Sequence, residues 1–128
     1  MMGKEQIKGF VRNTLGCTCP EEVFQSIDCS EDVPIQGDIT AWYRIDVGGR
    51  LLIYVFKETQ ERDLATDIGT LISHGRQAKE SGGYNRFRLV LLSQNPQHVS
   101  EMATAAFDSL VKDDKTHLHV VDQSEIPQ

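Results

Sequence analysis

Apolar residues follow two rhythms along this chain, one of period 3.6 and one of period 2, and between them these lay out the elements. Ile7, Phe10, Val11 and Leu15 recur at helical spacing with Lys4, Glu5, Lys8 and Arg12 between them, and Gly16 supplies a stop. The spacing predicts an amphipathic helix over about 4–15. Next, Thr18-Cys19-Pro20-Glu21-Glu22 offers an N-cap residue, a proline suited to a first turn and two acids that complement the helix dipole. A second, short helix is expected from about 20 to 27, burying Val23, Phe24 and Ile27. Cys29 to Gly37, with Ser30, Glu31, Asp32 and Pro34, has the composition of a loop.

Residues 39–47 alternate cleanly, with Ile39, Ala41, Tyr43, Ile45 and Val47 on one side and Thr40, Trp42, Arg44 and Asp46 on the other. Gly48-Gly49 then supplies a two-residue hairpin turn, and Arg50 to Lys57 returns as a continuously apolar, central strand. Leu64, Ile68, Leu71, Ile72 and Gly75 share one face of a helix running from Thr59 to about Glu80, which Ser81-Gly82-Gly83 ends. Arg86 to Leu92 is a buried-type strand. After Asn95-Pro96, Val99, Met102, Ala103, Ala106, Phe107 and Leu110 form a strong helical stripe. Asp113-Asp114-Lys115 turns the chain into a last strand, His117 to Val121.

The predicted order is therefore ααββαβαβ, an α/β fold with a mixed sheet. Two N-terminal helices precede a β-hairpin and two right-handed strand–helix–strand crossovers, with helices covering the sheet. At 128 residues this is one domain, 1–128, divided into a helical N-terminal segment 1–37 that carries the cysteines, an α/β core 38–121 and a tail 122–128. Such a chain can bury a full core without disulfides. Thirteen Lys+Arg against nineteen Asp+Glu give a net charge of −6, which disfavours nucleic acid and anionic membrane as main partners. The longest apolar run, Leu51 to Phe56, is far short of a membrane span, and the first residues lack a signal-peptide apolar segment, so the expected compartment is the cytoplasm.

All three cysteines, Cys17, Cys19 and Cys29, lie in the N-terminal segment. Unpaired N–H groups at a helix start favour a thiolate, so a thiol-based zinc or copper site, or a redox pair with a resolving third thiol, is one reading. Packing beside Val23 and Phe24 as small hydrophobes is the other, and Glu21 and Glu22 favour it by raising a thiol pKa. His117 and His119 flank Leu118, so their rings project to one face about 7 Å apart, near enough to share a metal. His74 and His98 have no partner evident in the sequence. Trp42 and Arg44, together on the exposed side of the hairpin, form a candidate partner surface. Phosphate-loop and nucleophile-elbow motifs are absent.

With Asp46 ahead of the Gly48-Gly49 turn and Lys57 ending the next strand, the order of elements over residues 38–92 resembles the core of the PD-(D/E)xK nuclease superfamily. That resemblance implies an Asp on one hairpin strand and a Glu-x-Lys on the next, which bind magnesium and position water. Here the position matching the Glu is Val55, and Glu58, just past Lys57, points to the opposite face of an extended strand. The resemblance thus implies a degenerate relative without a cleavage site. The expected function is a small, non-enzymatic binding domain that takes a protein partner or a second copy of itself, with the unpaired edge of Ile39 to Val47 as the surface.

Overall fold

The structure, a computed structural model, describes residues 3–16, 21–37, 39–57, 63–110 and 114–125 of the chain. These form a mixed five-stranded sheet, β1 (Ile27–Gln36), β2 (Ile39–Val47), β3 (Leu51–Lys57), β4 (Arg86–Ser93) and β5 (Thr116–Asp122), in sequential order. Three α-helices accompany it: α1 (Lys4–Gly9), α2 (Leu64–Gly82) and α3 (Pro96–Asp108). β1, β2 and β3 make an antiparallel meander, and β3, β4 and β5 run parallel through the two helical crossovers. Among the described residues no helix is long and apolar enough to cross a membrane.

Two expected elements change character. The helix expected over 20–27 is a single 3₁₀ turn, Glu21–Gln25, and the segment expected to be a loop is the edge strand β1. The order is αβββαβαβ, so the open edge expected at Ile39 to Val47 is covered by β1. The residues that resemble a loop are those an edge strand uses. Pro34 lacks an N–H, Asp32 sits at φ 51°, and the register slips between Pro34 and Gln36. Ile27, Cys29, Val33 and Ile35 nevertheless keep the period of two and pack on the core.

α1 runs on into a π-helical turn, Phe10–Thr14, where the Leu15 N–H reaches back to the Phe10 carbonyl at 3.1 Å. Ile7, Phe10, Val11 and Leu15 are all buried, against Tyr43, Ile45, Val47, Ile53, Val55, Val90 and Leu92 on one face of the sheet. The other face, bearing Leu52, Tyr54, Phe56, Phe87, Leu89 and Leu91, is closed by Leu64, Ile68, Leu71 and Ile72 of α2 and Val99 and Ala103 of α3. α2 is capped at both ends, at its C-terminus by the glycines the sequence suggests and at its N-terminus by Asp63. The Asp63 side chain accepts from the Thr66 N–H and hydroxyl, and Gly83 takes the left-handed conformation at φ 73°. Residues 59–62, where the helix was expected to begin, lie outside the described residues.

β2 departs from simple alternation. Ile39 and Ala41 belong to the α2–α3 face, yet Tyr43, Ile45 and Val47, of the same parity, belong to the α1 face. A strand of period two puts such residues on one side, so β2 turns over between Ala41 and Tyr43. β1 turns over with it: Ile27 and Cys29 face α1, Val33 and Ile35 face α2, and Asp32 with its positive φ stands between. The β2–β3 ladder stops at Tyr43 opposite Val55, where the β1–β2 ribbon leaves β3.

Candidate functional site

This turnover decides where the hairpin side chains go. Arg44 and Asp46 lie on the α2 face, where Tyr84, just past the end of α2, donates to Asp46 Oδ2 at 2.6 Å. Arg44 Nη2 reaches the Tyr84 hydroxyl at 3.5 Å and also hydrogen-bonds the Tyr54 hydroxyl. Tyr54 Oη lies 3.0 Å from His74 Nδ1. Because a guanidinium only donates, Tyr54 accepts from Arg44, and its hydroxyl is hydrogen-bonded to the His74 imidazole as well. The second oxygen of Asp46, Oδ1, accepts the Gly49 N–H at 2.8 Å and so fixes the hairpin turn. Burial pushes the Tyr54 and Tyr84 hydroxyls above their ordinary pKa, aided at Tyr84 by its bond to Asp46.

Lys57 is on the other face and at the other end of β3. Its ammonium stands 4.2 Å from the centre of the Trp42 ring, and Trp42 packs with the α1-side cluster. Asp46 pairs with Leu52, five residues from Lys57 along β3, a separation of roughly 17 Å at the usual rise of a strand. The structure therefore does not bring Asp46 and Lys57 together. Val55, between them in sequence position, is wholly buried in the α1-side core, and Glu58 lies outside the described residues. Trp42 and Arg44, expected on one exposed side, are half-buried on opposite faces.

The described cysteine, Cys29, is half-buried on β1 opposite Ile45 and packs against the α1-side cluster. Burial, followed by the neighbouring Glu31, raises its pKa and keeps the thiol protonated. Cys17 and Cys19 lie outside the described residues. Among the described residues no group of three or more His, Cys, Asp and Glu side chains is placed to hold a metal ion.

A second polar cluster occupies the α1 face at β4 and β5. Arg88 is 8% exposed, and its Nη1 donates to the Leu15 carbonyl at 3.1 Å and to His119 Nε2 at 2.8 Å. His119 must therefore present a lone pair at Nε2 and carry its proton on Nδ1, which removes the nitrogen a metal would take. Burial, then the charge of Arg88, then His117 lower the His119 pKa to about 4, so the ring is neutral near pH 7. His117, facing Arg88 across the ladder, is shifted down by burial, Arg88 and Arg86. The sequence places the two imidazoles on one face but gives no hint of their partner from spacing. The available signal is Arg88 itself, a charge inside an otherwise apolar strand.

Comparison with protein-family models, with curated proteins and with solved structures gives no match to this chain.

Proposed function

We propose that this domain is a non-enzymatic binding protein whose partner is a second copy of itself, taken up along the edge of β5. The observation that carries this is the inequality of the two sheet edges. β1 is blunted by Pro34, by Asp32 at φ 51°, by a register slip and by Asp28, Glu31 and Asp32 along its length. β5 runs in unbroken register from Thr116 to Asp122 and pairs, among the described residues, with β4 alone. Its Leu118, Val120 and Val121 are half-buried, packed against both core clusters and still partly open to solvent. Two copies of such a strand pair antiparallel about a two-fold axis and join two sheets into one.

The scaffold beneath is read as a catalytically degenerate relative of the PD-(D/E)xK nuclease core. Support comes from the α1–β1–β2–β3–α2–β4 order, and from Val55 in the core, Asp46 committed to Tyr84 and Gly49, and Lys57 seated over Trp42. The thiol-based metal or redox reading has less behind it, since Cys29 is packed and its thiol is held protonated.

Light scattering across a concentration series, with hydrogen exchange at each concentration, tests the pairing. The expected result is a dimer, with amides of His117 to Val121 exchanging more slowly as concentration rises and those of β1 unchanged. A monomer at millimolar concentration with exchange independent of concentration rules it out.

A further inference from the structure

A buried guanidinium is ordinarily met by a carboxylate, because a charge removed from water needs an opposite charge close by. Arg88 has none among the described residues. Its two bonds, to the Leu15 carbonyl and to neutral His119, both leave from Nη1, and its buried Nε has no hydrogen-bond partner. The Nε–Nη2 edge thus meets no protein acceptor among the described residues, and that edge is the fork which grips two oxygens of one anion. Arg86, two residues earlier on β4, shares its face by strand alternation, and burial first, then the charge of Arg86, lower the Arg88 pKa. His117 stands opposite Arg88. Among the described residues the acid acting on His117 is Asp114, and no acid acts on Arg88 or His119.

We propose that the Nε–Nη2 edge of Arg88, with Arg86 and His117 beside it, is the binding site for a small tetrahedral oxyanion, inorganic phosphate or a phosphate monoester. His119 and the Leu15 carbonyl act as positioning groups: by holding Nη1 from two sides they fix the plane of the guanidinium and aim its other edge. A dianion suits the site because it neutralises Arg88 and Arg86 together and accepts from His117. The site is independent of β5 edge pairing, since these side chains project from the face of the sheet.

The test is a titration of the intact protein with inorganic phosphate, against sodium chloride at matched ionic strength, followed by ¹⁵N NMR of the arginine Nε–H and histidine ring signals. Saturable movement of the Arg88 Nε–H, with the pKa of His117 rising, is the expected result. Arg86→Gln, at an exposed position, is expected to weaken binding about five- to tenfold, and His117→Gln similarly. Arg88→Lys, which keeps a charge but loses the fork, is expected to abolish saturation. Should Arg88→Lys fail to fold, the Arg86 and His117 variants decide the matter. Methyl phosphate binding at least as tightly as inorganic phosphate identifies a monoester site, and weaker binding identifies free phosphate. Shifts that follow ionic strength alone, or persist unchanged in Arg86→Gln and His117→Gln, overturn the proposal and leave water at the Arg88 edge.

Discussion

On the α2 side of the sheet, Arg44, Tyr84, Tyr54, His74 and Asp46 close a chain that starts at a cation and reaches a carboxylate, while on the α1 side Arg88 reaches a carbonyl and a neutral imidazole. Both networks cross-link strands to a helical segment, and both put an arginine against the sheet. They differ in charge balance and in spare hydrogen-bonding capacity. A closed, compensated network specifies structure: it fixes the hairpin turn through Gly49 and the end of α2 through Tyr84. An open one, with a buried N–H and no counter-charge among the described residues, holds its shape at a cost that a ligand relieves. The same residue type therefore points to packing on one face and to binding on the other, and the partners make the distinction.

The largest effect on this contrast is expected at Gly75. A Cβ built there collides with the Cζ end of the Phe87 ring, so α2 lies close against β4 because residue 75 has no side chain. That approach puts His74 within reach of Tyr54, whose ring also packs edge-on against Phe87 at 5.0 Å between centroids. Gly75→Ala must push α2 off the sheet or displace Phe87, and about 3 kcal/mol of stability is expected to be lost in urea unfolding. A loss below about 1 kcal/mol would mean that the closed network does not depend on this contact.

The second expectation concerns the open network. The His119 pKa is about 4 when folded against 6.5 for a free imidazole, so between these values the unfolded chain binds the proton more readily. Stability from this group is complete above pH 6.5 and is lost as the pH falls toward about 4. Since the ring is partly exposed, the full linkage is reduced by solvent, to about 2 kcal/mol across that window. Unfolding free energies of wild type and His119→Gln, compared over the same pH range, isolate it from carboxylate titration. The difference between the two proteins should shrink with acidification, and a constant difference would show that His119 titrates normally.

The sequence carries most of the sheet but little of either network. β2 and both crossover helices are legible because their apolar residues repeat with one period, and β3, β4 and β5 because apolar runs stand between turn residues. β1 is not, because an edge strand protects itself with Pro34 and acids, the same residues that make a loop. Nor is the turnover at Trp42: burial alternates without a break through β2 while the face changes, and periodicity reports the first without the second. That is why Trp42 and Arg44 look like residues of one face and are not, whereas Asp46 and Lys57 are kept apart by register, Asp46 pairing with Leu52 five residues before Lys57. His117 and His119 are legible as a pair on one face. Arg88 and Leu15, 73 residues apart, meet through the parallel crossover, and nothing local encodes that meeting.

The smallest effect is the sharpest on the comparison itself. Tyr84→Phe removes one hydroxyl, and with it the 2.6 Å bond to Asp46 and the long contact from Arg44. Asp46 keeps the Gly49 N–H and, being half-buried, recovers water on the vacated oxygen, so about 1 kcal/mol is expected in thermal or urea unfolding. The change leaves the α1 face untouched. Added phosphate stabilises whatever form binds it, so Tyr84→Phe and wild type should gain equally from millimolar phosphate, while Arg86→Gln gains less. Equal gains for all three would place the phosphate effect outside the Arg88 site. A smaller gain in Tyr84→Phe would show that the two faces are coupled through β3 and β4, and the division into a closed and an open network would fail.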